Sequence, residues 1–88
     1  MRAVVVSAYG GPEMLGLTDV PEPEPGPGEV SVTVRFAGVN YTDVRNRQGD
    51  GLGQPPFIPG VEVAGTVRAV GAGVTSLRPG QPVSVTLP

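Results

Sequence analysis

The sequence predicts a mainly β fold with one short helix, and three observations carry that prediction. Apolar and polar residues alternate without fault over VSVTVRF, residues 30–36, the two-residue period of a half-buried strand. Valine-rich runs of the same kind recur near the start, in the middle and at the end of the chain, each bounded by glycine or proline. The 88 residues include 14 glycines and 11 prolines, a level that would indicate disorder if those valine runs were absent. A chain of this length makes one small domain over residues 1–88, with a modest core.

Each element has its own local signal. Residues 2–9, RAVVVSAY, read as an opening strand that Gly10-Gly11-Pro12 breaks. LGLTDV, residues 15–20, reads as a second strand whose alternation slips at its end. Repeated proline in PEPEPGPGE, residues 21–29, predicts an extended, solvated connector, with an acidic recognition tail as the weaker alternative. In residues 30–36, Val30, Val32, Val34 and Phe36 share the face expected to be covered, and Ser31, Thr33 and Arg35 the other.

Asn40 stands three residues before Asp43, a loose relative of the capping box, so Val44–Gln48 is expected to make a turn or two of helix that Gly49 stops. Asp50–Pro59 is too rich in glycine and proline for regular structure. VEVAGTVRAV, residues 61–70, is the next strand, and Gly65 within it marks a bulge or a close backbone approach. Turns follow at Gly71-Ala72-Gly73 and Arg78-Pro79-Gly80, and PVSVTL, residues 82–87, closes with Val83, Val85 and Leu87 alternating. Five short strands with turns at close spacing favour a small barrel over a sandwich.

Composition excludes several kinds of chemistry. The formal net charge is −2 and no basic block occurs, which argues against nucleic acid as a partner. The longest apolar run near the start, Ala3-Val4-Val5-Val6, is too short for a signal peptide or a membrane span, so a soluble, cytoplasmic protein is the expectation. There is no Cys and no His, and all 6 basic residues are Arg. A Cys or His nucleophile, a Ser–His pair, a lysine Schiff base and a Cys/His zinc site are thereby excluded, and no metal is expected. Catalysis would have to run on Asp, Glu, Tyr, Arg, amide and backbone groups, or on a bound cofactor. The stretch 36–66, FAGVNYTDVRNRQGDGLGQPPFIPGVEVAGT, is where polar side chains are presented from a strand end into loops, and any site is expected there.

Gly71-Ala72-Gly73-Val74-Thr75-Ser76 nearly spells a dinucleotide fingerprint. The third glycine is missing, and Leu77-Arg78-Pro79-Gly80 cannot open the helix that such a turn needs. A plain hairpin turn is expected instead.

AGVNYTDVRNRQG, then PPFIPGVEVAGTVRAVGAGV and LRPG, resemble the start of the medium-chain dehydrogenases/reductases, and RAVVVSAYGGPEML with PEPGPGEV fits the same pattern. The resemblance is nearest to the zinc-free quinone oxidoreductases and the enoyl reductases of polyketide synthases, and it covers almost the whole chain. It implies a GroES-like fold: a partly open β-barrel that in the family packs against a Rossmann domain binding NADPH, with substrate in the cleft between them. In the zinc-dependent branch a Cys takes the place of Asn40 and a His that of Val61; here both ligands are gone while Glu62 remains. The quinone reductase branch often has Tyr where Arg45 and Gly51 stand, and Gly-Asp-Arg-Val where Gly80-Gln81-Pro82-Val83 stands. The resemblance covers only the front part of the family's catalytic domain, and no Rossmann domain is expected within these 88 residues.

Two functional expectations follow. In the first, the chain is the GroES-like segment of a zinc-independent, NADPH-dependent oxidoreductase acting on a quinone, enone or enoyl thioester, and not redox-competent alone. Asn40 would then bond the nicotinamide ribose or the substrate carbonyl, and Arg45 or Arg47 would take anionic groups. In the second, it is a repurposed, non-redox binder of a polyketide-like small molecule, or a cyclase-like enzyme, with Tyr41, Asp43 and Glu62 as acid–base groups. A purely structural module is a third, blander reading. A homodimer or a separate Rossmann-domain partner is expected for the exposed edges, with no membrane partner.

Overall fold

The computed structural model describes residues 1–87 of the chain. Five strands, one α-helix and one 3-10 turn succeed one another: β1 (Arg2–Val6), the 3-10 turn Pro12–Met14, β2 (Leu15–Asp19), β3 (Val30–Ala37), α1 (Tyr41–Gln48), β4 (Glu62–Val70) and β5 (Pro82–Thr86). The strands form two antiparallel sheets, β1-β2 and β3-β4-β5, and neither closes on itself into a barrel. The mainly β class with one short helix is therefore as the sequence indicated. Among the described residues no helix is long and apolar enough to cross a membrane.

The chain divides into two compact units. The first joins Met1–Pro21 to Val39–Val61, so it holds β1, β2, α1 and the glycine–proline loop. Its centre is Val6, wholly buried, which exchanges backbone hydrogen bonds with Phe57 at 2.8 and 3.2 Å. The opening strand ends at Val6 rather than running to Tyr9, because the 3-10 turn at Pro12–Met14 returns the chain and Ser7 N–H already bonds the Met14 carbonyl at 3.2 Å.

The second unit joins Glu22–Gly38 to the chain from Glu62 onward, with buried Val67 at its centre. The expected burial of the valine face of β3 is only partly right. Ser31 is the buried residue, whereas Val34 is 52% and Phe36 66% exposed. The β3–β4 register carries two irregularities, one on each strand. Ser31 pairs with Ala69 but Val32 with Val67, leaving Arg68 as an extra residue; Val34 pairs with Gly65 but Phe36 with Ala64, leaving Arg35 extra. Each bulge breaks the two-residue period of the strand that carries the extra residue: β4 at Arg68, and β3 only beyond Val34.

Gly65 sits at the second bulge, and a side chain there would run into the Thr33 carbonyl and the Arg35 nitrogen. The sequence expectation of a bulge or a close approach at Gly65 is met by both. Residues 21–26 of the connector take no regular secondary structure, and Arg68 anchors them: its guanidinium donates to the Pro23 carbonyl at 2.7 Å and lies 3.5 Å from the Glu24 carboxylate. Pro82 opens β5 on the sheet edge, where its missing N–H costs no ladder bond.

Candidate functional site

Helix α1 starts three residues earlier than its apolar pattern suggested, at Tyr41, because Asn40 and Asp43 build its first turn. Asn40 has extended backbone (φ −129, ψ 158) and Asp43 occupies the third helical position. The Asp43 carboxylate accepts the Asn40 backbone N–H at 2.9 Å, and the Asp43 N–H donates to the Asn40 backbone carbonyl at 3.0 Å. The outline is that of a capping box, yet the Asn40 side chain itself makes no capping hydrogen bond. Asp43 also brings negative charge to the first turn while Arg45 and Arg47 stand in the last, the arrangement that complements the helix dipole.

The helix ends at Gly49, left-handed at φ 93, whose N–H reaches the Arg45 and Asn46 carbonyls. Asp50 N–H adds a bond to the Arg45 carbonyl at 2.9 Å. Gly49 is thus the stop that the sequence indicated, in the αL conformation that glycine adopts without penalty.

The candidate residues fall into two groups. Asn40, Tyr41, Asp43, Arg45 and Arg47 share α1 or its cap in the first unit. Tyr41 is 71% exposed and Arg45 is exposed, so both present their polar ends to solvent. Arg47 is half-buried and partly committed: its Nε donates to the Gly10 carbonyl at 3.0 Å, while Gly10 N–H donates to the Arg47 carbonyl at 3.0 Å. One oxygen of Asp43 is buried without a hydrogen-bond partner.

Glu62 belongs to the second unit, at the start of β4. Its exposed side chain lies against Gly38, where a side chain at that position would collide with the Glu62 carboxylate. It lines an open concavity of about 410 Å³ together with Phe36, Gly38, Val63, Ser84 and Val85. A carboxylate and a hydroxyl over an apolar floor suit a small ligand with one polar end.

Asn46 was not legible as a site-shaping residue. It is 8% exposed, and its side-chain oxygen accepts the Leu52 N–H at 2.7 Å. The only local hint is an amide in a helix interior shortly before a glycine-rich turn, a place where such side chains bond nearby backbone. Among the described residues no group of three or more His, Cys, Asp or Glu side chains is gathered to hold a metal ion. Gly71-Ala72-Gly73 opens no helix; Gly71 N–H bonds the Glu29 carbonyl at 2.7 Å and Gly28 N–H the Ala72 carbonyl at 2.9 Å, so it is a turn stitched to the connector.

Comparison with known proteins gives these features a family. Residues 26–87 match the alcohol dehydrogenase GroES-like domain model. A quinone oxidoreductase from Lama guanicoe is 42% identical over 89 residues, covering 98% of this chain and 27% of the relative. An alcohol dehydrogenase from Schizosaccharomyces pombe is 45% identical over 85 residues, covering 94% of this chain and 24% of the relative. A mycobacterial protein solved in complex with NADPH superposes with a TM-score of 0.93 at 40% identity, covering 99% of this chain and 28% of that one. The chain therefore spans about a quarter of the length of these proteins. It belongs to the alcohol dehydrogenase GroES-like domain family, within the medium-chain dehydrogenases/reductases.

Proposed function

We propose that this chain supplies the GroES-like, substrate-facing segment of a zinc-independent, NADPH-dependent oxidoreductase that reduces a quinone or an activated alkene. The observation that carries the reading is the division of labour at the start of α1. Asp43 ties back the Asn40 backbone, and the Asn40 side chain makes no cap bond. An amide at a fixed helix terminus, which faces the Asp43 backbone in capping-box fashion without a hydrogen bond to it, is suited to a ligand carbonyl or a ribose hydroxyl. The similarity to quinone oxidoreductases over nearly the whole chain supports the same direction.

In this reading Asn40 orients the nicotinamide ribose or the substrate carbonyl, and Tyr41 and Arg45 offer donors to substrate oxygens. Asp43 positions Asn40, and Arg47, on the same helix, is available to anionic groups of the substrate. NADPH supplies the hydride when bound, and the domain that would hold it lies outside the part of the relatives that this chain matches. Zinc independence rests on the donor set: with neither Cys nor His in the chain, the soft and nitrogen ligands of a catalytic zinc are not available from it.

A chimera tests the reading. Residues 1–88 would replace the matched segment of the mycobacterial relative, and NADPH oxidation would be followed with 1,4-naphthoquinone before and after treatment with a chelator. Turnover that survives the chelator and falls by about tenfold or more in Asn40→Ala, the scale of one lost oriented hydrogen bond to a reacting group, supports the proposal. A folded chimera that binds NADPH but reduces no quinone or enone overturns it.

A further inference from the structure

Two concavities lie side by side on one face of the sheet in the second unit. Over 62–66 and 82–86 the pairing of β4 with β5 is regular, so Glu62, Ala64 and Thr66 share a face with Ser84 and Thr86. Phe36 joins that face as the partner of Ala64, and Thr33 as the partner of Thr66. The concavity of about 410 Å³ described above, which holds Glu62, takes one end of the face. A second, of about 470 Å³, takes the other end, and Arg35, Thr33 and Thr66 line it. Phe36 and Ala64 belong to both concavities and so mark the middle.

The two ends carry opposite charges, and each charge is held over the face. The Arg35 guanidinium lies 5.8 Å from the centre of the Phe36 ring, within the range of cation–π attraction. The Glu62 carboxylate lies against Gly38, so close that any side chain there would collide with it. Neither charge is neutralised within the chain: among the described residues the one ion pair joins Arg68 to Glu24. Phe36, between them, is exposed.

An exposed aromatic ring between a fixed cation and a fixed anion restricts what can cover it. A partner of one sign, such as a nucleic-acid backbone or an anionic lipid surface, would match Arg35 and oppose Glu62. A surface that carries both signs in reverse order matches both ends. The face itself, rotated by half a turn, is such a surface. Arg35 of each copy then meets Glu62 of the other, and the two Phe36 rings approach near the axis. Self-complementarity of this kind is the condition for an isologous two-fold contact.

We propose that this face of the β3-β4-β5 sheet is the contact between two copies of the chain, with Arg35 of each copy paired to Glu62 of the other and Phe36 beside the two-fold axis. All three residues belong to the second unit, whereas the residues given to substrate and cofactor in the proposed reaction belong to the first. The contact therefore does not depend on the oxidoreductase reading, and its failure would leave that reading intact.

Sedimentation equilibrium on the 88-residue chain tests this, with the parent, Arg35→Glu, Glu62→Arg and an equimolar mixture of the two variants. The parent is expected to dimerise with a Kd in about the micromolar range, the scale of a small interface. Each single reversal sets two like-charge pairs across the axis, so self-association should weaken by about tenfold or more. In the mixture both cross-pairs are again opposite in sign, and a heterodimer about as tight as the parent dimer is expected. Both variants must be folded to give that result, so misfolding cannot imitate it. Arg35→Gln and Glu62→Gln, neutral changes at exposed positions, should each weaken the dimer by about threefold and carry the test if a reversal fails to fold. A parent that stays monomeric at high micromolar concentration overturns the proposal. So does a dimer that neither reversal weakens, because its contact then lies on another face. A mixture that stays monomeric while each variant is folded overturns the pairing of Arg35 with Glu62. A monomeric parent whose Phe36 and Ala64 amide signals shift with 1,4-naphthoquinone gives the face to a small ligand instead.

Discussion

The carboxylate of Asp43 holds the backbone N–H of Asn40 at 2.9 Å, and the side chain of Asn40 makes no capping bond in return. Capping energy at this helix therefore resides mainly in Asp43. Asp43→Ala is expected to cost about 1 kcal/mol of stability, as for loss of an N-terminal cap, while Asn40→Ala costs about 0.5 kcal/mol or less. Paired urea melts decide the matter. If Asn40→Ala is the more damaging of the two, its amide belongs to the cap and is withdrawn from the site.

Gly65 separates close packing from mere turn chemistry. A side chain there meets the Thr33 carbonyl, which belongs to paired backbone and cannot move aside. Gly65→Ala is expected to cost about 1–3 kcal/mol, the usual penalty of overpacking. Gly16, in the middle of β2, has nothing within 4 Å of where a side chain would begin. Gly16→Ala is expected to be neutral or to stabilise by about 0.4–1 kcal/mol, through a less flexible unfolded chain. Denaturation midpoints for the two variants should move in opposite directions or differ by at least that margin.

Arg68 bonds the connector in two ways that differ in worth. Its contact with Glu24 is long at 3.5 Å, and the Glu24 side chain is 76% exposed, so water screens it. Glu24→Gln is expected to change stability by less than about 0.5 kcal/mol. The bond from Arg68 to the Pro23 carbonyl is 2.7 Å and fixes the path of residues 21–26. Arg68→Met keeps the aliphatic stem and removes that bond, so it should cost about 1 kcal/mol and render the connector more open to proteolysis. Equal effects of the two substitutions would show that the ion pair, not the carbonyl bond, anchors the segment.

The fold class, the order of the strands and the stop at Gly49 were legible because each rests on local chemistry: alternation, glycine and proline. The buried face of β3 was not. Alternation says only which residues share a face; whether that face is covered depends on packing distant in sequence, and Val34, ahead of the bulge at Arg35, is already 52% exposed. Asn40 and Asp43 were legible as a pair from their spacing alone, but which of them does the capping depends on backbone geometry. The role of Asn46 was hidden because its partner, Leu52, is chosen by the shape of the Gly49–Gly53 turn and not by any residue pattern.

The last prediction concerns the cofactor. A dinucleotide pyrophosphate is ordinarily received by free backbone N–H groups at a helix N-terminus beneath a glycine turn. Neither place in this chain that approaches the pattern can do this. Gly71-Ala72-Gly73 leads into no helix, and the Gly71 N–H is already donated to Glu29. At the start of α1 the Asn40 N–H is taken by Asp43, whose carboxylate puts negative charge where a phosphate would have to sit. The 88-residue chain by itself is expected to bind NADPH no more tightly than about 1 mM. Calorimetric titration should therefore show no saturation, and Asp43→Asn, which removes the repelling charge, should not create a site because the glycine turn is still missing. Saturable binding in the micromolar range would show that this chain receives the cofactor through groups other than a helix terminus.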